Sequence, residues 1–142
     1  MGLRRKGREI ALQTFYALSF LDIEKEIDYS CYEDKMNEII STKDHELDNK
    51  IIEFSKEILA NTINNLEEID KKITEHSTNW KMSKIATVDL MILRIATYEL
   101  LFTPTPPAIV MNEAIEIAKK YSSESSSKFV NGILDSITAE LE

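Results

Sequence analysis

Glycine and proline are scarce in this chain, with three of each among 142 residues. An all-β protein needs turn residues roughly every 8–12 positions, so that class is excluded. The glycines, Gly2, Gly7 and Gly132, are too scattered to build a Walker loop or a glycine-rich dinucleotide turn. Cysteine occurs once, as Cys31. This rules out an internal disulfide and a thiolate metal cage, and points to a reducing, cytoplasmic compartment. A lone thiol without a base beside it reads as buried or inert rather than nucleophilic. His45 and His76 stand apart, without the His-Glu-x-x-His spacing of a zinc helix, and read as surface residues. No apolar run approaches the roughly 18 residues that a membrane span needs. The N-terminus is basic, but Glu9, Gln13 and Asp22 follow and no small-residue cleavage site does, so the segment reads as a mature helix and not a signal peptide. No acid–base pair stands out among the many carboxylates, and an enzymatic role is disfavoured.

What the chain does have is a charge contradiction. Its formal net charge is −8, yet Arg4, Arg5, Lys6 and Arg8 stand together against a single acid, Glu9, within the first 20 residues. That stretch carries +3 and the rest of the chain therefore −11. A cationic cluster on an anionic body suits a local contact with one polyanion, such as a short stretch of RNA, while the remaining surface repels the rest. The plain alternative is a solvated terminus. A cationic helix start opposes the helix dipole at a cost of order tenths of a kcal/mol, which is weak evidence that the cluster has a task.

Almost every segment has helical period. Ala11, Phe15 and Leu18 form one buried stripe of a helix over 4–21, with Arg5, Arg8, Leu12 and Tyr16 along a neighbouring face. Asp28-Tyr29-Ser30 reads as a helix start, and Tyr32, Met36, Ile39 and Ile40 give a short stripe. A strong helix over 46–66 lines up Ile52, Leu59, Ile63 and Leu66, with Ile51, Phe54 and Ile58 beside them. A shorter one over 67–75 uses Ile69 and Ile73. Ser83 is placed to cap the next helix, the most hydrophobic, which is expected to sit centrally. Proline stops it at Thr103-Pro104-Thr105-Pro106-Pro107, and Pro107 opens the following helix. A serine-rich break over 122–127 precedes a last helix carrying Phe129, Ile133, Ile137 and Leu141. The expectation is an all-α fold of about seven helices, with an N-terminal subbundle over about 1–75, a C-terminal one over about 80–142, and a seam near 76–83.

Two further features carry chemistry. Ser125-Ser126-Ser127-Lys128-Phe129-Val130-Asn131-Gly132 combines a helix N-terminus, a lysine and an aromatic, a set that suits phosphate and an unpaired base; its structural alternative is a capped helix with Phe129 in the core. Gly132 within a helix costs roughly 1 kcal/mol of propensity and suggests close packing against a neighbour. On the apolar helix, Arg94 and Glu99 read as a structural polar network, and Asp89 as dipole stabilisation near the helix start.

As a set these residues resemble the NusB family of transcription antitermination factors. The matching stretches are Arg8-Glu9-x-Ala11-x-Gln13-x-x-Tyr16, Val88-Asp89-x-x-Ile92-Leu93-Arg94-Ile95-Ala96-x-Tyr98-Glu99-Leu100-Leu101, Pro107-x-x-Val110-x-Asn112-Glu113-Ala114-Ile115-Glu116-Ile117-Ala118-Lys119 and Lys128-Phe129-Val130-Asn131-Gly132-Ile133-Leu134-Asp135. The similarity runs end to end, is densest over 84–136 and is weakest over 24–48. It implies an all-helical fold of two small packed bundles. It also implies binding of boxA-type single-stranded RNA together with the ribosomal small-subunit protein NusE, in RNA polymerase antitermination complexes on ribosomal RNA operons. The RNA-binding residues carried over are Arg4, Arg5, Lys6 and Arg8 on the first helix, Tyr16, and Ser125, Lys128 and Phe129 at the last helix; Tyr16 and Asp89 are carried over to the protein partner. Ser125 departs from the aspartate common in the family, exchanging a charged acceptor for a neutral one that also donates. The resemblance implies no catalytic residue, metal, cofactor or membrane, and leaves a homodimer open. Two other readings stand beside it: a module that binds protein alone, and a non-catalytic partner of an RNA methyltransferase.

Overall fold

The computed structural model describes residues 2–20, 32–43, 47–77 and 82–141. Cys31, His45, the helix start expected at Asp28-Tyr29-Ser30 and the linker residues Thr78, Asn79 and Trp80 lie outside them. The described residues form helices and no strand: α1 (Gly2–Leu18), α2 (Tyr32–Ser41), α3 (Asn49–Asn64), α4 (Leu66–His76), α5 (Thr87–Phe102), α6 (Pro107–Tyr121) and α7 (Glu124–Leu141), with a short 3₁₀ turn at Met82–Lys84. They fall into two compact units, Met1–Asn64 and Asn65–Glu142.

In the first unit α1 packs on α2 and α3. Ile10, Ala11, Phe15 and Leu18 of α1 are buried, with Met36 from α2 and Ile51, Ile58 and Leu59 from α3. The buried face of α3 is rotated from the expected line. It runs through Ile51, Ser55, Ile58, Leu59 and Thr62, whereas Ile52 and Ile63 are only half-buried. Two hydroxyls fit this face because each donates to the carbonyl one turn back, Ser55 Oγ to Ile51 O at 2.8 Å and Thr62 Oγ1 to Ile58 O at 2.7 Å. Small side chains here let α1 come close. A Cβ on Gly7 would lie 2.6 Å from Phe54 Cδ2 and 3.4 Å from Ser55 Oγ.

In the second unit α5 packs on α4, α6 and α7. Every residue from Met91 to Leu100 is buried, which bears out the expected central helix. α4 belongs to this unit, so the division follows Asn64 and not the expected 76–83. The reason is α4's own packing. Ile69 and Ile73 are fully buried, and Asp70 accepts two hydrogen bonds from Arg94 of α5, from Nε and Nη2, each at 2.8 Å. Arg94 thus has a carboxylate partner, as a charge near a core requires. Ser83 does not cap α5; it lies in the 3₁₀ turn, and Ala86 precedes the helix without a side-chain cap. Pro107 does open α6. Ser123 accepts a hydrogen bond from the Ser126 N–H at 3.0 Å, so its hydroxyl caps α7. The buried stripe of α7 is Ser127, Val130, Ile133, Leu134 and Ile137; it keeps Ile133 and Ile137 of the expected line but turns away from its two ends, which leaves Phe129 half-buried at its edge and Leu141 exposed.

Candidate functional site

In the first unit the basic cluster is built around an aromatic from another helix. The guanidinium carbons of Arg4 and Arg8 lie 5.6 and 5.4 Å from the centre of the Phe54 ring. Phe54 reaches α1 because Gly7 has no Cβ. Such cation–π contacts contribute about 0.5–1 kcal/mol at exposed sites and about 2 or more when desolvated. The four cations are not equivalent. Arg4 is exposed, Arg5 and Lys6 are half-buried, and Arg8 is buried at 4% exposure. The face expected to join the cluster to Tyr16 is interrupted by Arg8 and by buried Leu12. Tyr16 is 39% exposed and meets Phe20, 52% exposed, edge to face at 4.8 Å. Phe54 was read from the sequence as a core residue flanking the stripe of α3. Its partners lie in a different helix, beyond the reach of periodicity.

In the second unit Asp89, Ser125 and Phe129 line one cavity of about 280 Å³. Lys84 and Ser126 add polar groups to it, and Ile85 and Ala86 apolar ones. Lys84 is a residue that sequence reasoning missed. Nothing in Met82-Ser83-Lys84 marks it out, and only the turn before α5 brings it to the opening of α7. Lys128, exposed on α7, is not part of the lining. Asp89 is the unusual member. It stands in the first turn of α5, is 5% exposed, and its Oδ1 has no hydrogen-bond partner among the described residues. An acid in a first helical turn is favoured by the dipole, but the dipole does not require a buried oxygen without a donor.

A third cluster joins α4 to α7. His76, expected to be isolated, has Nδ1 2.7 Å from Ser136 Oγ and Nε2 3.3 Å from Glu140 Oε2. Lys72 donates to Glu140 Oε2 at 2.7 Å and lies 3.4 Å from Glu75 Oε1. The Lys72 hydrogen bond, followed by that of His76, holds the Glu140 carboxyl below its ordinary range. Glu75, His76 and Glu140 place ligand atoms within 4.8 Å of one another, but the Lys72 ammonium already pairs with both carboxylates. Among the described residues no helix is long and apolar enough to cross a membrane.

Fold and geometry together define the class: among the described residues, an all-α protein of two helical units, acidic overall, with cations and aromatic rings gathered on α1 and with hydroxyls, a lysine and a phenylalanine at the opening of α7. Residues 5–139 match the model of the NusB family, and the chain belongs to that family. It is 42% identical over 142 residues to the transcription antitermination protein NusB of Elusimicrobium minutum, covering 99% of this chain and 96% of that one. Against the NusB of Geobacter sp. (strain M21) identity is 40% over 145 residues, with 98% and 96% covered. Among solved structures, the fold is similar to that of the antitermination factors NusB and NusE in complex with double-stranded RNA, with a TM-score of 0.81, 26% identity, and 99% of this chain and 98% of that chain covered.

Proposed function

We propose that this chain is a transcription antitermination factor that binds boxA-type single-stranded RNA together with NusE, in RNA polymerase complexes that transcribe ribosomal RNA. It acts in the cytoplasm and carries out no catalytic step. Both helical units, over 1–142, work as one RNA-binding module. Family membership and the RNA-bound NusB–NusE relative support the reading. The observation that carries it to this chain's own residues is the half-exposed Phe129 beside hydroxyls and Lys84 at the opening of α7.

Each residue has a physical task. Arg4, Arg5 and Lys6 neutralise phosphates, and Lys128 does the same from α7. Arg8 is too covered to follow a strand along its length; its charge, held on Phe54, reinforces the local field and orients Arg4. Phe129 stacks a base, and Ser125 hydrogen-bonds beside it. Tyr16, with Phe20, offers an exposed aromatic spot for NusE and for the RNA that reaches it. The acidic body attracts a basic ribosomal protein and repels RNA elsewhere. Because the partner adds surface for the same RNA, affinities for RNA and NusE rise together.

The test is a titration of a boxA-type strand, a scrambled strand of equal length and the boxA duplex, with and without NusE. The boxA strand binds most tightly, and more tightly with NusE present. Phe129→Ala weakens it by about 1–3 kcal/mol, and Arg5→Glu weakens it further as salt falls. Equal affinity for the scrambled strand in the presence of NusE overturns the proposal. NusE binding with no RNA complex at any salt concentration identifies a protein-only module.

A further inference from the structure

We propose that Glu75, His76 and Glu140 form a site for one divalent transition-metal ion, Zn²⁺ foremost, that clamps the end of α4 to the end of α7. The site lies within the second unit and is independent of the RNA reading. Its atoms already stand close to coordination geometry. Zn²⁺ with bonds of about 2.0–2.2 Å to imidazole nitrogen and carboxylate oxygen sets tetrahedral ligands about 3.3–3.5 Å apart. His76 Nε2 and Glu140 Oε2 are 3.3 Å apart. The Glu75 oxygen lies within 4.8 Å of both. It has to draw in by roughly 1–1.5 Å, which is within the rotamer freedom of an exposed side chain.

The imidazole is oriented for this task. Its Nδ1 is 2.7 Å from Ser136 Oγ. With the hydroxyl accepting from Nδ1–H, the Nε2 lone pair is left for a metal, which is how an outer partner fixes the tautomer of a metal-binding histidine. In that tautomer a nitrogen lone pair faces a carboxylate oxygen, and a cation between them turns repulsion into attraction. Charge favours a divalent ion over the lysine. Lys72 Nζ lies 2.7 Å from Glu140 Oε2 and 3.4 Å from Glu75 Oε1, so this corner already seats a cation. The ammonium cancels one of two carboxylate charges, whereas Zn²⁺ cancels both and adds a bond to Nε2. The long Lys72 side chain swings to water as the ion enters. Glu75 and Glu140 stand in the last turns of α4 and α7, where the negative end of each helix dipole opposes a carboxylate and favours a cation. Their side chains are 42% and 44% exposed, which leaves an open path for the ion. The donor set selects the metal. An imidazole disfavours Mg²⁺ and Ca²⁺, which take oxygen ligands, and suits zinc and its first-row neighbours.

The experiment uses the full chain, freed of metal by chelation and carrying no histidine tag. Zn²⁺ binding is read by isothermal titration calorimetry and by thermal unfolding, with Co²⁺ absorption as a probe of ligand geometry. The expected result is one Zn²⁺ per chain, a Tm that rises with free Zn²⁺, and no response to Mg²⁺ at the same concentration. His76→Ala and Glu140→Gln each weaken Zn²⁺ binding by more than about tenfold, and Ser136→Ala by about tenfold. Lys72→Ala strengthens it, because the competing ammonium is gone. Unfolding in the presence of chelator separates a folding defect from lost metal binding, and because His76 and Glu140 lie on different helices, either variant decides if the other does not fold. Cys31→Ser combined with His45→Ala leaves binding unchanged. No Zn²⁺ binding by the wild-type chain at millimolar concentration overturns the proposal. So does binding that persists in His76→Ala or Glu140→Gln, or that disappears with Cys31 and His45. A Lys72→Ala chain that binds Zn²⁺ no more tightly than wild type overturns the shared cation seat, and the proposal with it.

Discussion

Gly7 and Gly132 look alike in the sequence, each a glycine inside a helical pattern, and the structure separates them. Gly132 was expected to mark a close helix approach; it is exposed, and a Cβ there meets nothing within 4 Å. Its cost is helix propensity alone, so Gly132→Ala raises stability by about 0.5–1 kcal/mol, measured by urea denaturation. Gly7 carries the close approach instead. Gly7→Ala drives its Cβ into Phe54 and costs about 1–3 kcal/mol on the same assay, and it weakens RNA binding because Phe54 is the platform for Arg4 and Arg8. Thr97 shows the same dependence on surroundings. It is fully buried in α5 and its hydroxyl has no partner among the described residues. Thr97→Val keeps the shape and removes the unpaired group, so unfolding free energy rises by about 1 kcal/mol.

At the scale of elements, periodicity recovered the helices well and their faces less well. α5 was read as central and is; Pro107 was read as the start of α6 and is. The buried faces of α3 and α7 are turned from the lines that their apolar residues alone draw. Ser55, Thr62 and Ser127 are buried at α3 and α7, their hydroxyls satisfied by their own helix, and an alphabet of apolar and polar residues cannot see this. The placement of α4 was missed for a related reason. Its attachment to α5 and α7 uses Asp70 and Lys72, charged residues that read as solvent-facing. The Lys72–Glu140–His76 cluster makes a pH prediction. Glu140's carboxyl is held low in the folded chain, chiefly by the Lys72 hydrogen bond. Its contribution to stability is therefore present above the ordinary carboxylate range and is lost as pH falls through the lowered value. Exposure keeps that contribution small. The clear readout is the titration itself: Lys72→Ala moves the Glu140 midpoint upward, as followed by NMR of its side-chain carboxyl carbon.

At the scale of the whole molecule, charge organises the proposed function. A chain of net charge −8, with +3 over its first 20 residues and −11 over the rest, binds a polyanion only where cations are concentrated. With Arg4, Arg5, Lys6 and Lys128 as phosphate contacts, log affinity falls against log salt with a slope of about −3, and removing one arginine reduces the slope by about 0.7, read from titrations at several salt concentrations. The sequence by itself determined the helical class, the acidic balance, the family and the residue types proposed to meet RNA, since each follows from composition, local periodicity and motif order. Only the tertiary structure decided which of those residues are covered. Arg8 is buried against a ring from α3, Phe129 is released to the edge of its helix, and Asp89 is enclosed beside residues from the start of α7. The physical reason is range: helical period reports neighbours a turn or two away, whereas burial of a charged or aromatic side chain is set by atoms from other helices that only packing brings near.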